Sequence, residues 1–205
     1  PDDARTPVFC LTGLSGGLSG GLSDALTTRF TLPARFVLPL LASLAGVSSA
    51  AAEAQRFAAY ITGYGFWDNT PPGTAIISHP VKHRRAGGSG THDDPVTLAV
   101  GHALHGPHEV LDFPPGTMLY LPRIKKYAVV EDTCGDGPRP QDGPCHTGAR
   151  GHIWLDLDGG GQTVTPAQAE QCQYRITAVQ MVYLNPAPHS EVPPGEVLAS
   201  ACAVF

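Results

Sequence analysis

The sequence predicts an all-β domain, either a small barrel or a sandwich, on three observations. Glycine and proline number 24 and 20 among the 205 residues, and both favour turns over helices. From residue 57 onwards, short apolar runs alternate with turn signals such as Thr70–Gly73 and Phe113–Gly116. The hydrophobic fraction of 42% suffices for one sizeable core but not for two.

The predicted strands are short apolar runs, rich in β-branched and aromatic residues, that are bounded by Gly, Pro or polar turns. In chain order they are Phe57–Thr62, Thr74–Ser78, Pro95–Val100, Thr117–Leu121, Tyr127–Val130, Gly151–Asp158 and Arg175–Leu184. One helix is predicted to begin with Thr165 as N-cap and Pro166 at its first position. The histidine-rich segment 101–112 is predicted as a loop, and the Pro-rich tail 185–195 as a segment that wraps the surface.

The first 54 residues are predicted to lie outside the folded domain. Residues 1–28 carry a low-complexity Gly-Leu-Ser repeat with no room for a core. Residues 29–54 combine two arginines, the apolar run Phe36–Val47 and a small-residue A-x-A site, which is the order of a secretory signal peptide. The apolar run is too short to span a bilayer comfortably, and a buried core helix is its rival interpretation. We therefore expect an exported domain at residues 55–205, without a membrane span.

Four of the five cysteines lie in this domain, and an even number in an exported chain predicts two disulfides. Three connectivities are open, of which we prefer Cys134–Cys145, leaving Cys172–Cys202. A zinc site is the rival interpretation, but the spacings lack the short C-x-x-C pairs that are typical of zinc ligands.

The charge pattern argues against nucleic acid as a partner. The chain has 13 Lys and Arg against 18 Asp and Glu, for a formal net charge of −5. The densest basic runs, His83–Arg85 and Arg123–Lys126, are short and read as solvated surface.

The stretch Tyr127–Gly161 carries the chemistry. Its first strand is predicted to stop at an acidic corner, residues 131–134, and its second strand alternates between two faces. One face carries His152, Trp154, Asp156 and Asp158, and the other carries Ile153, Leu155 and Leu157. The first face is predicted to line a groove, and the second to be core.

Five motifs occur in an order that resembles a known group of proteins. They are Tyr64–Asn69, Ala86–Thr97, Pro115–Pro122, Lys126–Cys134 and Gly151–Ile153. Together they resemble secreted, wall-directed double-psi β-barrel proteins, which include expansin-like and loosenin-like proteins, family-45 endoglucanases, fungal muramidases, and the rare lipoprotein A and lytic transglycosylase A barrels. The resemblance covers about Tyr60–Leu184. It implies a six-stranded double-psi β-barrel with long loops and one or two short helices.

The resemblance also implies catalytic carboxylates. Asp68 matches the early aspartate that serves as general base in the family-45 enzymes, and Asp132 matches the late-barrel aspartate of the lipoprotein-type lytic barrels. The catalytic acid of the family-45 pattern aligns with Trp154, where the sequence departs from the family. Asp156, two residues on, is the nearest carboxylate on the same face of the strand.

These residues make up the candidate site, each with a simpler alternative. Asp68, Asp132 and Asp156 are the catalytic candidates, but Asp68 could cap a turn and Asp132 could hold a loop. Tyr64, Trp67, His152 and Trp154 are the substrate-binding candidates, although large aromatic residues are usually core.

No metal or cofactor is expected. His102, His105 and His108 are spaced like a metal cluster, but the predicted Gly/Pro loop around them supplies no rigid scaffold.

Two functions follow as expectations. The first is an enzyme, a monomer that cleaves peptidoglycan or a related β-linked wall glycan with Asp156 or Asp132 as acid and Asp68 as base. The second is an expansin-like binding module that uses the same groove without catalysis. A weaker third possibility is a protease-inhibitor-like barrel that presents the loop Gly135–Pro144.

Overall fold

The computed structural model describes residues 55–188, 190–193, 195–198 and 202–205, all within the compact unit Ser49–Phe205. The predicted leader at residues 1–28 and the predicted signal peptide at residues 29–54 lie outside the described residues.

Eight strands are present in the described part of the chain. They are β1 Gln55–Tyr64, β2 Val96–Val100, β3 His102–His105, β4 His108–Leu111, β5 Met118–Leu121, β6 Lys126–Thr133, β7 Ile153–Asp158 and β8 Ala178–Leu184. Six of them close into a mixed barrel in the order β1-β7-β2-β6-β5-β8, while β3 and β4 form a separate hairpin. The predicted all-β class is therefore confirmed, and the barrel is chosen over the sandwich.

The barrel has an internal two-fold symmetry in its strand connections. The pairs β1–β7 and β2–β6 are parallel, and the other four pairs are antiparallel. If β1, β2 and β5 are exchanged with β6, β7 and β8 respectively, every strand pair becomes another pair of the barrel with the same direction. Each parallel pair thus joins one strand of the first triplet to one strand of the second.

The core lies inside the barrel, because alternate strand residues point inward. Its fully buried side chains include Ile61, Leu98, Val100, Leu119, Val130, Leu155, Leu157 and Val182. The prediction of a core face on β7 is confirmed for Leu155 and Leu157 but wrong for Ile153, which is 43% exposed. Strand β2 pairs only with residues 155–157 of β7, so Ile153 projects beyond the region where both neighbours cover it.

The helices are short. Helix α1 spans Pro144–Thr147, after a 3₁₀ turn at Pro140–Asp142, and helix α2 spans Pro166–Ile176. The predicted start of α2 is confirmed, since Thr165 and Gln168 form a capping box. Helix α2 packs against β1 at Gly63, where a Cβ atom would lie 2.5 Å from Ile176 Cδ1.

Two of the predicted elements are wrong. Segment 74–78 is not a strand, because side chains take its backbone groups: Asn69 donates to Thr74 O and Ile76 O, and Asp132 accepts from Ser78 N. The histidine-rich segment 101–112 is not a loop but contains the hairpin β3–β4.

Both preferred disulfides are present, Cys134–Cys145 and Cys172–Cys202. The second one ties the C-terminal tail to α2. The tail is also held by the buried Lys126, whose Nζ donates to Pro193 O and Gly195 O at 2.5 and 2.6 Å. This tail therefore follows the barrel surface as predicted.

A search of the described helices finds none of the length and apolar character needed to cross a bilayer.

Candidate active site

A β-bulge puts two acidic residues of β6 outside the barrel. The register of β2 against β6 shifts between Leu98, which pairs with Val130, and Ala99, which pairs with Asp132. Glu131 is the extra residue, and a bulge turns its neighbours relative to the regular alternation. Neither acidic residue joins the hydrophobic core. The predicted end of the strand before Glu131 is thus wrong, because β6 continues through the acidic pair.

The strand register brings two predicted catalytic residues into one row. Asp156 pairs with Ala99 on one side and with Thr62 on the other, and Ala99 pairs in turn with Asp132. The row across the sheet is therefore Thr62, Asp156, Ala99, Asp132. Since neighbouring strands lie about 4.8 Å apart, the backbones of the two aspartates are about 10 Å apart.

Asp156 has the environment of a proton donor. Its Oδ1 accepts a hydrogen bond of 2.6 Å from Thr62 Oγ1, and the carboxyl group is partly buried. Burial raises the pKa of Asp156 to about 7, and the negative charges of Asp68, Asp132 and Asp136 act in the same direction, against the Thr62 hydrogen bond. A carboxyl group with this pKa is partly protonated at neutral pH, as a general acid requires.

Asp132 is held firmly on both oxygens. Its Oδ1 accepts from Ser78 N, Ser78 Oγ and Thr133 N at 2.9–3.0 Å. Its Oδ2 accepts from the hydroxyl of Tyr64 at 3.0 Å. These bonds connect β6 to β1 and to segment 74–78, so Asp132 organises the site whatever its part in chemistry.

Tyr64 and Asp158 lie beside this pair and are both buried. Burial raises the pKa of Tyr64 well above its usual value, and the charges of Asp132, Asp158 and Asp156 raise it further. Burial likewise raises the pKa of Asp158 to about 7, helped by Glu196 and opposed by the Gly160 N–H. The Tyr64 hydroxyl is thus a neutral donor placed among acidic groups.

Asp68 lies on the turn after β1, next to α2. Its Oδ1 accepts from Gly65 N at 2.9 Å, and both oxygens accept from the Gln173 amide at 3.1 and 3.0 Å. The bond from Gly65 N is of the kind that a turn-capping residue makes. The residue is nevertheless exposed, and together with Trp67 and Gln173 it lines a depression of about 400 Å³ along α2.

Trp67 and Trp154 are both anchored through their indole N–H groups. Trp67 Nε1 donates to Gly161 O and Val164 O, each at 3.0 Å, and its ring remains 38% exposed. Trp154 Nε1 donates to Thr62 Oγ1 at 2.6 Å and so supports the hydroxyl that binds Asp156. The Trp154 ring also meets Tyr60 edge-on, with centroids 5.2 Å apart.

His152 is not brought to the carboxylates. It lines a separate depression of about 390 Å³ with Phe57, Phe113 and Ile153. It lies four residues before Asp156, or about 13 Å along an extended strand. Of the seven predicted site residues, the structure thus brings together Tyr64, Asp132, Trp154 and Asp156, with Trp67 and Asp68 beside them.

Three residues of this site were not predicted from the sequence. Thr62 shares the outward face of β1 with Tyr60 and Tyr64, a period of two that could have revealed it. Gln173 and Tyr174 sit on α2, and a second depression of about 310 Å³ joins them to Tyr60 and Thr62. Gln173 meets Asp68 across 105 positions of sequence, a contact with no local signal.

The loop behind the acidic pair is fixed by an imidazole between two carboxylates. His83 Nδ1 lies 2.7 Å from Glu131 Oε2, and His83 Nε2 lies 2.9 Å from Asp94 Oδ1. Burial opposes protonation of His83, but the hydrogen bonds and charges of Asp94 and Glu131 outweigh it, so the pKa of His83 is raised. Glu131 Oε1 also accepts from the backbone of Val81 and Lys82.

Within the described ranges, no group of three or more His, Cys, Asp or Glu side chains is arranged to hold a metal ion. His102 contacts Glu109, while His105 and His108 face each other at the end of the hairpin.

Comparisons with known proteins find relatives without a known activity. A family model described as the DDB_G0273701 N-terminal domain matches residues 56–203. One curated relative is an uncharacterized protein of Dictyostelium discoideum, 34% identical over 97 residues. That alignment covers 47% of this chain and 38% of the relative, so the chain spans well under half of the relative's length. No solved structure matches the chain significantly.

Proposed function

The chain belongs to the DDB_G0273701 N-terminal domain family, and from the geometry of its site we propose that it is a double-psi β-barrel that cleaves a β-linked wall glycan. Peptidoglycan is the first choice of substrate. The observation that carries the proposal is Asp156, a partly buried carboxyl group whose pKa is raised to about 7 beside other carboxylates.

The strand order supports the double-psi assignment. A double-psi barrel is built from two interlocked halves, and the two triplets of this barrel exchange without changing a single strand pair. The five sequence motifs that resemble wall-directed barrels fall on the turn after β1, on the loop before β2 and its first two residues, on β5, on β6 and at the start of β7. The candidate carboxylates fall on β6, on β7 and on the turn after β1.

In the proposed reaction, Asp156 protonates the oxygen of the glycosidic bond as that bond breaks. Thr62 Oγ1 occupies Oδ1 of Asp156 and leaves the other oxygen for the leaving group. An oxocarbenium-like centre develops next to the acidic surroundings, which favour positive charge. Asp156 is two residues from the position that the family-45 pattern assigns to the acid, and it keeps the same face of the strand.

The exposed Asp68 decides between two ways of completing the reaction. As a base, it would activate water in the depression along α2, as in an inverting hydrolase. Without a base, a hydroxyl group of the sugar itself attacks, and an anhydro sugar forms. Asp132, whose two oxygens already accept four hydrogen bonds, serves in this proposal as the anchor of Tyr64 and Ser78.

We also place the domain outside the reducing cytoplasm. Its two disulfides require an oxidising compartment, and the sequence before residue 55 has the order of a secretory signal.

A second candidate function is glycan binding without cleavage. The observation that favours it is the exposed aromatic pair beside α2, Trp67 at 38% and Tyr174 at 72% exposure. Two neighbouring depressions, which share Glu170 and Gln173, lie between and around these rings. Flat rings along a groove suit stacking on sugar faces.

The test is the release of soluble fragments from purified peptidoglycan, with cellulose and chitin in parallel. Wild type is compared with Asp156→Asn, Asp68→Asn and Asp132→Asn, each shown to be folded by its thermal unfolding curve. Asp156→Asn should lower the rate at least about 100-fold on the polymer that is cleaved. Asp68→Asn should do the same if the products have free reducing ends, and have little effect if they end in anhydro sugars.

The matched control is Asp93→Asn, an exposed aspartate whose carboxylate has His92 as its one polar contact among the described residues. Fragment release that Asp156→Asn does not change would contradict the proposed acid. Binding to a polymer without fragments, lost in Trp67→Ala, would favour the binding module instead.

A further inference from the structure

A second group of reactive side chains lies beside Asp132, in residues 78–79 and the hairpin β3–β4. Ser78 and His79 come from the segment between β1 and β2, and Glu109 comes from β4. The three residues are brought together only by the fold, because 30 positions separate His79 from Glu109. None of them takes part in the glycan reaction proposed above.

The three side chains form a chain of polar contacts. His79 Nδ1 lies 2.9 Å from Ser78 Oγ, within hydrogen-bond distance. His79 Nε2 lies 3.3 Å from Glu109 Oε2. A hydroxyl group next to an imidazole, which is oriented in turn by a carboxylate, is the arrangement that activates a serine nucleophile.

Glu109 determines which imidazole nitrogen can act as the base. A carboxylate beside Nε2 favours the tautomer with its proton on that nitrogen, which leaves the lone pair of Nδ1 facing Ser78. His102 Nδ1 contacts the other oxygen of Glu109 and holds that carboxylate from the far side. The base is therefore oriented by the hairpin β3–β4.

Ser78 is exposed, and it opens onto a depression of about 360 Å³. Ile76, Ile77 and Cys134 supply apolar wall, which suits a short acyl chain. Gly135 and Gly137 line the same depression. Within the described residues, their backbone N–H groups donate to no protein acceptor, so they are free to bind an oxyanion.

Asp132 fixes the position of the nucleophile. Its Oδ1 accepts from the backbone N–H of Ser78 as well as from Oγ, both at 3.0 Å. The same oxygen also accepts from Thr133 N, so Asp132 is crowded with donors, whereas His79 Nδ1 has Ser78 Oγ as its contact. Ser78 Oγ also lies 3.1 Å from Thr133 Oγ1. Because the hydroxyl has one proton, the proposed step requires it to turn from Asp132 Oδ1 to His79 Nδ1, while the bond from the Ser78 N–H to Asp132 holds the residue in place.

We propose that Ser78, His79 and Glu109 form a second catalytic site that hydrolyses short-chain carboxylic esters, such as an acetyl ester of a sugar hydroxyl. Ser78 Oγ forms a bond to the carbonyl carbon as its proton passes to His79 Nδ1. The bond to the alcohol oxygen then breaks, and His79 returns the proton to that oxygen. Water attacks the acyl-serine by the same route, which releases the carboxylic acid and restores the Ser78 hydroxyl.

The experiment combines a covalent probe with a model ester. Folded wild type is treated with a fluorophosphonate, and the site of labelling is located by peptide mass mapping. In parallel, the rate of 4-nitrophenyl acetate hydrolysis is measured for wild type, Ser78→Ala, His79→Gln and Glu109→Gln. The matched control is Ser89→Ala, which removes a loop hydroxyl that bonds only to Thr91 and Asp94.

The proposal predicts one label on Ser78 and a loss of about 100-fold or more in ester hydrolysis for Ser78→Ala and His79→Gln. Glu109→Gln should lose about 10-fold, and Ser89→Ala should match wild type. Labelling elsewhere, or hydrolysis that His79→Gln leaves unchanged, would overturn it. His79→Gln keeps Ser78 and its bonds to Asp132, so the test stands even if Ser78→Ala fails to fold. No glycan is used, so the outcome is independent of the glycan reaction.

Discussion

The environment of Asp156 lowers the stability of the folded protein at neutral and alkaline pH. Its carboxyl group is ionised in the unfolded chain near pH 4, whereas in the barrel its pKa is raised to about 7 by burial and by the neighbouring carboxylates. The folded state therefore binds a proton between these values that the unfolded state does not. Stability is highest below the unfolded pKa and falls as the pH rises through about 7.

Asp156→Asn should consequently stabilise the protein at alkaline pH. The amide keeps the acceptor for Thr62 and removes the buried charge, so we expect a gain of about 2 kcal/mol at pH 8, allowing for partial exposure to water. At pH 3.5 the gain should nearly vanish, because the carboxyl group is then neutral in the folded state and mostly neutral in the unfolded one. Urea unfolding at the two pH values measures the difference. An Asp156→Asn variant that is less stable than wild type at pH 8 would contradict the proposed environment.

His83 also has a raised pKa in the fold, but its charged form is the stabilising one, so its substitution should lower stability. Despite burial, Asp94 and Glu131 raise the pKa of His83. Its contribution is fully present below the unfolded pKa of 6.5 and is lost as the pH rises through the higher folded pKa. We expect His83→Gln to cost about 2 kcal/mol at pH 6 and less at pH 9. Denaturant unfolding at both values checks this, with the exposed His105→Gln as control.

At the level of single elements, α2 is the wall that carries Gln173 and Tyr174 beside Asp68. It is a helix of 11 residues with a complete capping box, and its buried residues are Ala169, Cys172 and Ile176. The start of α2 was predictable, because its N-terminal cap depends only on neighbouring residues: Thr165, Pro166 and Gln168. The packing of α2 against β1 was not predictable, because the need for glycine at position 63 comes from its tertiary contact with Ile176.

Thr165→Ala should destabilise the protein by about 1 kcal/mol, because it removes the acceptor for the Gln168 N–H. Thr165→Ser keeps that oxygen and should stay within a few tenths of a kcal/mol of wild type. Thermal unfolding of the two variants makes the comparison. Equal losses for both would mean that the cap contributes through the threonine methyl group and not through its hydroxyl.

Strand β6 shows why the acidic pair was misread. Glu131 and Asp132 look like a corner, since consecutive carboxylates rarely continue a buried strand. They continue it here because the bulge turns them out of the core and distant donors meet them: Val81, Lys82 and His83 at Glu131, and Ser78 at Asp132. These donors lie about 50 positions away, so no local pattern could reveal them.

For the whole molecule, the sequence was most informative about features that depend on neighbouring residues or on pairs of cysteines. The short apolar runs predicted all six barrel strands to within three residues at either end, and the even count of cysteines in the domain led to both disulfides. The hairpin β3–β4 was missed because its histidines and Glu109 carry no strand-like apolar pattern. The candidate site was predicted in its carboxylates but not in Thr62 or Gln173, which act through tertiary contacts.

The two disulfides should contribute unequally to stability. They close loops with sequence separations of 30 for Cys172–Cys202 and 11 for Cys134–Cys145. By loop-closure entropy, we expect losses of about 4 and about 3 kcal/mol for the respective double serine variants. Urea unfolding of each variant gives the order. A larger loss for Cys134→Ser with Cys145→Ser would show that local contacts, not chain entropy, dominate.

The most direct test of the glycan proposal is the pH dependence of fragment release from peptidoglycan. If Asp156 donates the proton, its protonated form is the active one, so the rate should fall as the pH rises through about 7 and should be nearly absent in Asp156→Asn at every pH. A rate that holds steady between pH 6 and pH 9, or an active Asp156→Asn variant, would show that this carboxyl group is not the acid.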